Sequence, residues 1–156
     1  GISSVVYYSD TCGGQNRNSY VCAMFQYALK SHPTLQTIEH KFLIPGHTHM
    51  ECDVDHAAIE RKKKHAPFPI QVPHDWYNLV RSTGVKTKFE VFAMENEHFL
   101  SFSNLLKGPL QMKKVNTENE KILWRDIQWL RYTKEFGIVE YKTSLIEENP
   151  FFKINF

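Results

Sequence analysis

The stretch Val5-Val6-Tyr7-Tyr8-Ser9-Asp10-Thr11-Cys12-Gly13-Gly14-Gln15-Asn16 decides the reading of the fold. Its β-branched and aromatic opening predicts a strand over residues 4–9. That strand delivers one carboxylate, Asp10, onto a glycine-rich turn. Next, Asn16 or Asn18 caps a helix running to about residue 31, in which Tyr20, Val21, Met24, Phe25, Ala28 and Leu29 recur at helical spacing until Pro33 stops it. A second strand is predicted over residues 35–44, where Ile38, Phe42 and Ile44 interleave with polar residues before Pro45-Gly46.

Thr48 followed three residues later by Glu51 fits a capping box, so a helix is expected from about residue 49 to 65, ahead of Pro67 and Pro69. Within it Asp53, His56 and Glu60 stand at i, i+3 and i+7, which puts all three on one stripe. The order strand, helix, strand, helix argues for an α/β layer with parallel pairing. Beyond the proline-punctuated loop 67–73, the remainder reads as an α+β extension. Helices are expected there over 75–81 and 97–106, and strands over 88–94, 122–132, 137–145 and 151–156. The segment 122–132 fits both periods poorly, and its Trp124, Ile127, Trp129 and Leu130 are taken as core.

A chain of 156 residues, 42% hydrophobic and 13% aromatic, is long enough to bury a core. No apolar run approaches the roughly 20 residues of a membrane span, and no secretory leader pattern opens the chain. Cys12, Cys22 and Cys52 are odd in number and lack paired spacing, which fits a reducing compartment, nucleus or cytoplasm, rather than secretion. The chain begins inside a strand and reads as a fragment. Its net charge of +2 announces no nucleic-acid partner. Locally, Arg61, Lys62, Lys63 and Lys64 can touch phosphates, although cations at a helix end also complement its dipole.

The stretch from His47 to Glu60 packs four carboxylates and three histidines into fourteen positions. Enzymes that cut nucleic acid with two divalent metals need carboxylates from separate elements to converge, because hard oxygen ligands hold two Mg2+ ions about 3.5–4 Å apart. Asp10 at a strand end, with Asp53 or Glu60 on the later helix, suits a split Mg2+ or Mn2+ site. His56 is the candidate for orienting a carboxylate or moving a proton. Each has a plainer reading. Asp10 can close a turn, Asp53 can favour the helix's first turn, and Glu51 is explained by the capping box. Zinc held by His47, His49, Cys52 and His56 ranks lower, since structural zinc sites show two paired motifs and one cluster stands alone here. The Gly13-Gly14 turn lacks the lysine and the spacing of a nucleotide loop, and no nucleophile elbow or Cys-His hydrolase pattern is present.

The motifs from Tyr8 to Asn16 and from His47 to Glu60, together with His74-Asp75-Trp76-Tyr77, resemble an uncharacterised, transposon-derived domain of insect and other invertebrate proteins, itself similar to the RNase H-like core of DDE transposases. Gly46-His47-Thr48, Asp53 and Ile59-Glu60-Arg61 match its recurring turn, acid and helix ending. The resemblance implies a partial RNase H-like core over residues 1–66, with the α+β extension over 67–156 packed on it. It makes Asp10 the second acid of the triad and Asp53 or Glu60 the third, with no counterpart of the leading acid before Gly1. The implied function is metal-dependent phosphoryl transfer on DNA in an intact parent. A domesticated scaffold that binds DNA, or binds a protein through the extension, without catalysis is the alternative.

Overall fold

The computed structural model describes residues 1–44, 46, 50–84 and 89–156. Two compact units emerge, one formed by Gly1–Thr48 with Ser101–Phe156 and the other by His49–Leu100.

The first unit is a mixed five-stranded sheet carrying one long helix. Strand β1 (Ser4–Ser9) runs into the turn at Asp10, then helix α1 (Ser19–Ser31), then strand β2 (Thr37–Phe42), which lies parallel to β1 in the register Ser4↔Thr37 to Ser9↔Phe42. Parallel neighbours need such a crossover, because a two-residue turn reverses the chain. Asn18 caps α1 as expected, its side-chain oxygen accepting from the Val21 amide at 3.1 Å. The sheet continues antiparallel through β3 (Trp129–Tyr132), β4 (Ile138–Lys142) and β5 (Phe152–Asn155), in the order β1-β2-β3-β4-β5. Helix α4 (Ser103–Lys107) joins the same unit.

Alternation in the strands sets one face of this sheet against α1. Ile38 and Phe42 of β2, Leu130 and Tyr132 of β3, Val139 and Tyr141 of β4 and Ile154 of β5 meet Cys22 and Leu29 of α1 in one apolar cluster. Gln26 is the polar member of that helix face. It is buried because its amide donates to the Ile138 carbonyl at 2.9 Å and its oxygen accepts from the Gly137 amide at 3.3 Å. Gly137 itself has φ +87°, a left-handed conformation that a β-carbon would strain, and it closes the turn from β3 to β4. β1 is an edge strand, so Val5, Val6, Tyr7 and Tyr8 stay 40%, 47%, 42% and 48% exposed despite their apolar character.

The second unit holds helices α2 (Glu51–Lys64) and α3 (Pro73–Arg81). α3 begins with proline at its first position, and Asp75 accepts from the amides of Gln71 and Val72 at 3.0 and 3.1 Å. The Lys63 ammonium sits 4.9 Å from the centre of the Trp76 ring, linking the two helices.

Several sequence expectations change. Helix α2 begins at Glu51 with Met50 as its cap, and the capping carboxylate belongs to Asp53, whose Oδ2 accepts from the Met50 amide at 2.9 Å. Thr48 and His49 lie outside the described residues. The strand expected over 88–94 does not form over its described residues, 89–94; Phe92 and Met94 are exposed, with no ladder to join. The helix expected over 97–106 divides into a 3-10 turn (Asn96–His98) and α4, because Phe99 is extended and breaks the run. The ambiguous 122–132 stretch is two elements, a 3-10 turn (Trp124–Asp126) and β3, which explains its poor fit to either period. The sheet also draws strands from both sides of residue 66. Of the fold expectation, the mixed α/β class stands. Among the described residues no helix is long and apolar enough to cross a membrane.

Candidate functional site

Asp10 follows the last residue of β1 and organises the turn after it. Its Oδ1 accepts from the Cys12 amide at 2.9 Å and from the Asn16 side-chain amide at 2.7 Å. The Cys12 carbonyl in turn accepts from the amides of Gln15, Asn16 and Arg17. The Cys12 N–H foremost, and Asn16 after it, stabilise the charged carboxylate and hold its pKa below the ordinary 3.8. Asp10 is therefore ionised at neutral pH. No hydrogen bond from a described residue reaches its Oδ2. One oxygen thus serves the turn, and the other has no hydrogen-bond partner among the described residues. This is how a metal-binding carboxylate is held by supporting donors, and also how a simple turn is closed.

Beneath it lies a pair that sequence reasoning missed. Ser9 and His40 are both buried, with Ser9 Oγ and His40 Nε2 2.7 Å apart. Ser9 Oγ also donates to the Asp10 carbonyl at 2.9 Å, so its single proton is used there and Nε2–H donates to Oγ. His40 Nδ1 is left buried without a partner among the described residues. The ring packs against Tyr7, Phe25 and Phe42 at centroid distances of 4.9, 5.6 and 4.1 Å. Burial foremost, with the Arg17 charge second, brings its pKa down to about 4, which keeps the ring neutral. Ser9 and His40 fix the backbone from which Asp10 projects. The signal in the sequence was faint: two polar residues at strand positions whose alternation points inward.

The α2 candidates have local tasks of their own. Asp53 caps the helix, as described, and Glu60 Oε1 lies 3.6 Å from Lys63 Nζ at a solvent-exposed pair, a contact of small energetic weight. His56 is exposed, and Asp53, His56 and Glu60 fall on one stripe of a helix that does form. Arg61, Lys62, Lys63 and Lys64 make up the exposed basic last turn. Among the described residues no three His, Cys, Asp or Glu side chains gather closely enough to hold a metal ion. Of the expected zinc ligands, Cys52 and His56 are exposed on α2, while His47 and His49 lie outside the described residues.

A family model described as a domain of unknown function, DUF7869, matches residues 4–121. The match spans β1, the Asp10 turn, α1, β2 and the α2 acids, and ends short of β3. No curated protein and no solved structure matches the chain.

Proposed function

We propose that this chain, which belongs to the DUF7869 family, takes part in metal-dependent phosphoryl transfer on DNA, with Asp10 as a ligand of Mg2+ or Mn2+. The observation that carries the proposal is the Asp10 carboxylate, ionised at the end of a parallel strand, with one oxygen oriented by two donors and the other without a hydrogen-bond partner among the described residues. A hard cation prefers such an oxygen. The parallel β1-α1-β2 arrangement is what an RNase H-like, transposase-derived core calls for at that position, and a nuclear or cytoplasmic location accords with such a role.

As a fit to the metal, Asp10 supplies one donor of the right chemistry, and the described residues do not gather two more. A bound ion would act as a Lewis acid on a phosphoryl oxygen and lower the pKa of the attacking water. The chain's own part is to present Asp10 in a fixed orientation, through Cys12, Asn16 and the Ser9–His40 pair, and to hold DNA phosphates with residues 61–64.

Titration calorimetry with Mn2+ tests this. The chain should bind Mn2+ and Asp10→Asn should abolish binding, while Asp53→Asn and Glu60→Gln read whether either α2 acid takes part. Absence of Mn2+ binding, or binding indifferent to Asp10→Asn, overturns the proposal. The second reading, a non-catalytic scaffold for DNA or protein, draws on the structural tasks that Asp10 Oδ1, Asp53 and Glu60 already perform, and it predicts the metal-indifferent outcome.

A further inference from the structure

The carboxyl ends of β1 and β2 open onto a cleft of about 350 Å3 whose walls include Thr11, Arg17, Phe42, Arg125, Gln128 and Thr143. Ligands of open α/β sheets settle at this end of parallel strands, where strand termini leave a crevice and loops supply the donors. Two arginines dominate it. The Arg17 guanidinium lies 4.5 Å above the Phe42 ring, and its Nη1 donates to the Arg125 carbonyl. Its Nε is buried and has no partner among the described residues. An arginine stacked and pinned in this way has already lost much of its side-chain freedom, so a ligand that engages it orders little further.

Arg125 is the complementary case, with a side chain 85% exposed and its Nε 3.5 Å from Asp126 Oδ1. Asp126 also lines the cleft, so the second guanidinium is parked on a neighbouring carboxylate that an incoming anion must displace. The side chains of Thr11, Gln128 and Thr143 make no hydrogen bond to any described residue, leaving two hydroxyls and an amide with unused donors. Guanidinium forks with hydroxyl and amide donors form the set that recognises phosphate oxygens. Among the described residues lining the cleft Phe42 is the one aromatic, and its ring is already covered by Arg17, so these residues offer no platform for a stacked nucleobase.

We propose that this cleft binds a phosphodiester of a nucleic-acid backbone, with Arg17 as the preset guanidinium, Arg125 as the closing one, and Asp126 as the counter-charge that weakens binding. The assignment rests on the reading of DNA as partner but needs no metal, so the two can fail separately.

Fluorescence anisotropy of a labelled duplex, in EDTA and across a salt series, reads the cleft. Arg125→Ala, which changes an exposed side chain and should leave the circular dichroism spectrum intact, is expected to weaken binding several-fold and to reduce the salt slope by about one. Asp126→Asn should tighten binding. That opposite sign is one which a merely structural role for the loop would not produce. Arg17→Lys, which keeps the charge but loses the fork, should weaken binding without unfolding the chain. Absence of duplex binding, or binding indifferent to both Arg125→Ala and Asp126→Asn, overturns the proposal. Calorimetry with inorganic phosphate separates the sources: uptake of phosphate, sensitive to Arg125→Ala, in a chain that ignores the duplex makes the cleft a free-phosphate site and refutes the nucleic-acid assignment. Mn2+ binding that survives Arg125→Ala leaves the Asp10 proposal standing whatever the cleft does.

Discussion

Lowering the pH from 7 to 5 should destabilise this protein through one buried imidazole. His40 is 0% exposed, lies among three aromatic rings, and has its pKa brought down from 6.5 to about 4. The folded state therefore refuses a proton that the unfolded chain accepts anywhere between those values. The associated stability is fully present above about pH 6.5 and is lost as the pH falls towards about 4. At ~1.4 kcal/mol per pH unit the whole effect is roughly 3 kcal/mol, of which about 2 kcal/mol should disappear between pH 7 and pH 5. For a chain of this size that corresponds to a fall in Tm of about 4–8 °C. Asp10 and Asp75 have carboxyl pKa values held below 3.8, so their own losses fall at more acid pH, beneath this window. The assay is urea denaturation followed by circular dichroism at several pH values, on the wild type and on His40→Met. The substitution removes the titrating ring and leaves the Ser9 hydroxyl its bond to the Asp10 carbonyl. The difference between the two pH profiles isolates His40. Parallel profiles would refute the claim that this imidazole is held neutral by burial.

Two further outcomes follow from the capping and packing described above. Asp53→Ala should remove the acceptor of the Met50 amide and weaken the first turn of α2 by about 1 kcal/mol, read as lost helicity and a lower melting temperature, whereas Asp53→Asn keeps an acceptor and most of the stability; equal melting of Asp53→Ala and wild type would show that the cap carries no weight. Gln26→Leu should strand the Ile138 carbonyl and the Gly137 amide inside the core, at about 1–3 kcal/mol for each unsatisfied group, and a denaturation midpoint unchanged from wild type would contradict that assignment.

The elements legible in the sequence are those whose causes are local. β1, α1 and α3 appear where alternation, helical spacing, asparagine capping and proline punctuation place them, because each of those signals acts within about one turn or one strand of sequence. The turn at Asp10 was equally visible, together with its two meanings, since an aspartate before Thr-Cys-Gly-Gly accepts backbone donors whatever else it does. α2 was visible as a helix, but the capping box expected of Glu51 has its carboxylate at Asp53, since Asp53 and not Glu51 stands three residues after the Met50 that caps the helix. Three-dimensional packing decided the rest. Residues 122–132 became a turn and a strand because β3 finds partners in β2 and β4, about ninety residues and about ten residues away along the chain. Residues 89–94 have a strand-like composition and no such partner, so they stay out of any ladder. The Ser9–His40 bond, the Arg17 guanidinium on Phe42 and its bond to Arg125 join residues 31, 25 and 108 positions apart. Such pairings carry no periodicity along the chain. They exist only once strand order and register have brought distant residues to the same end of the sheet.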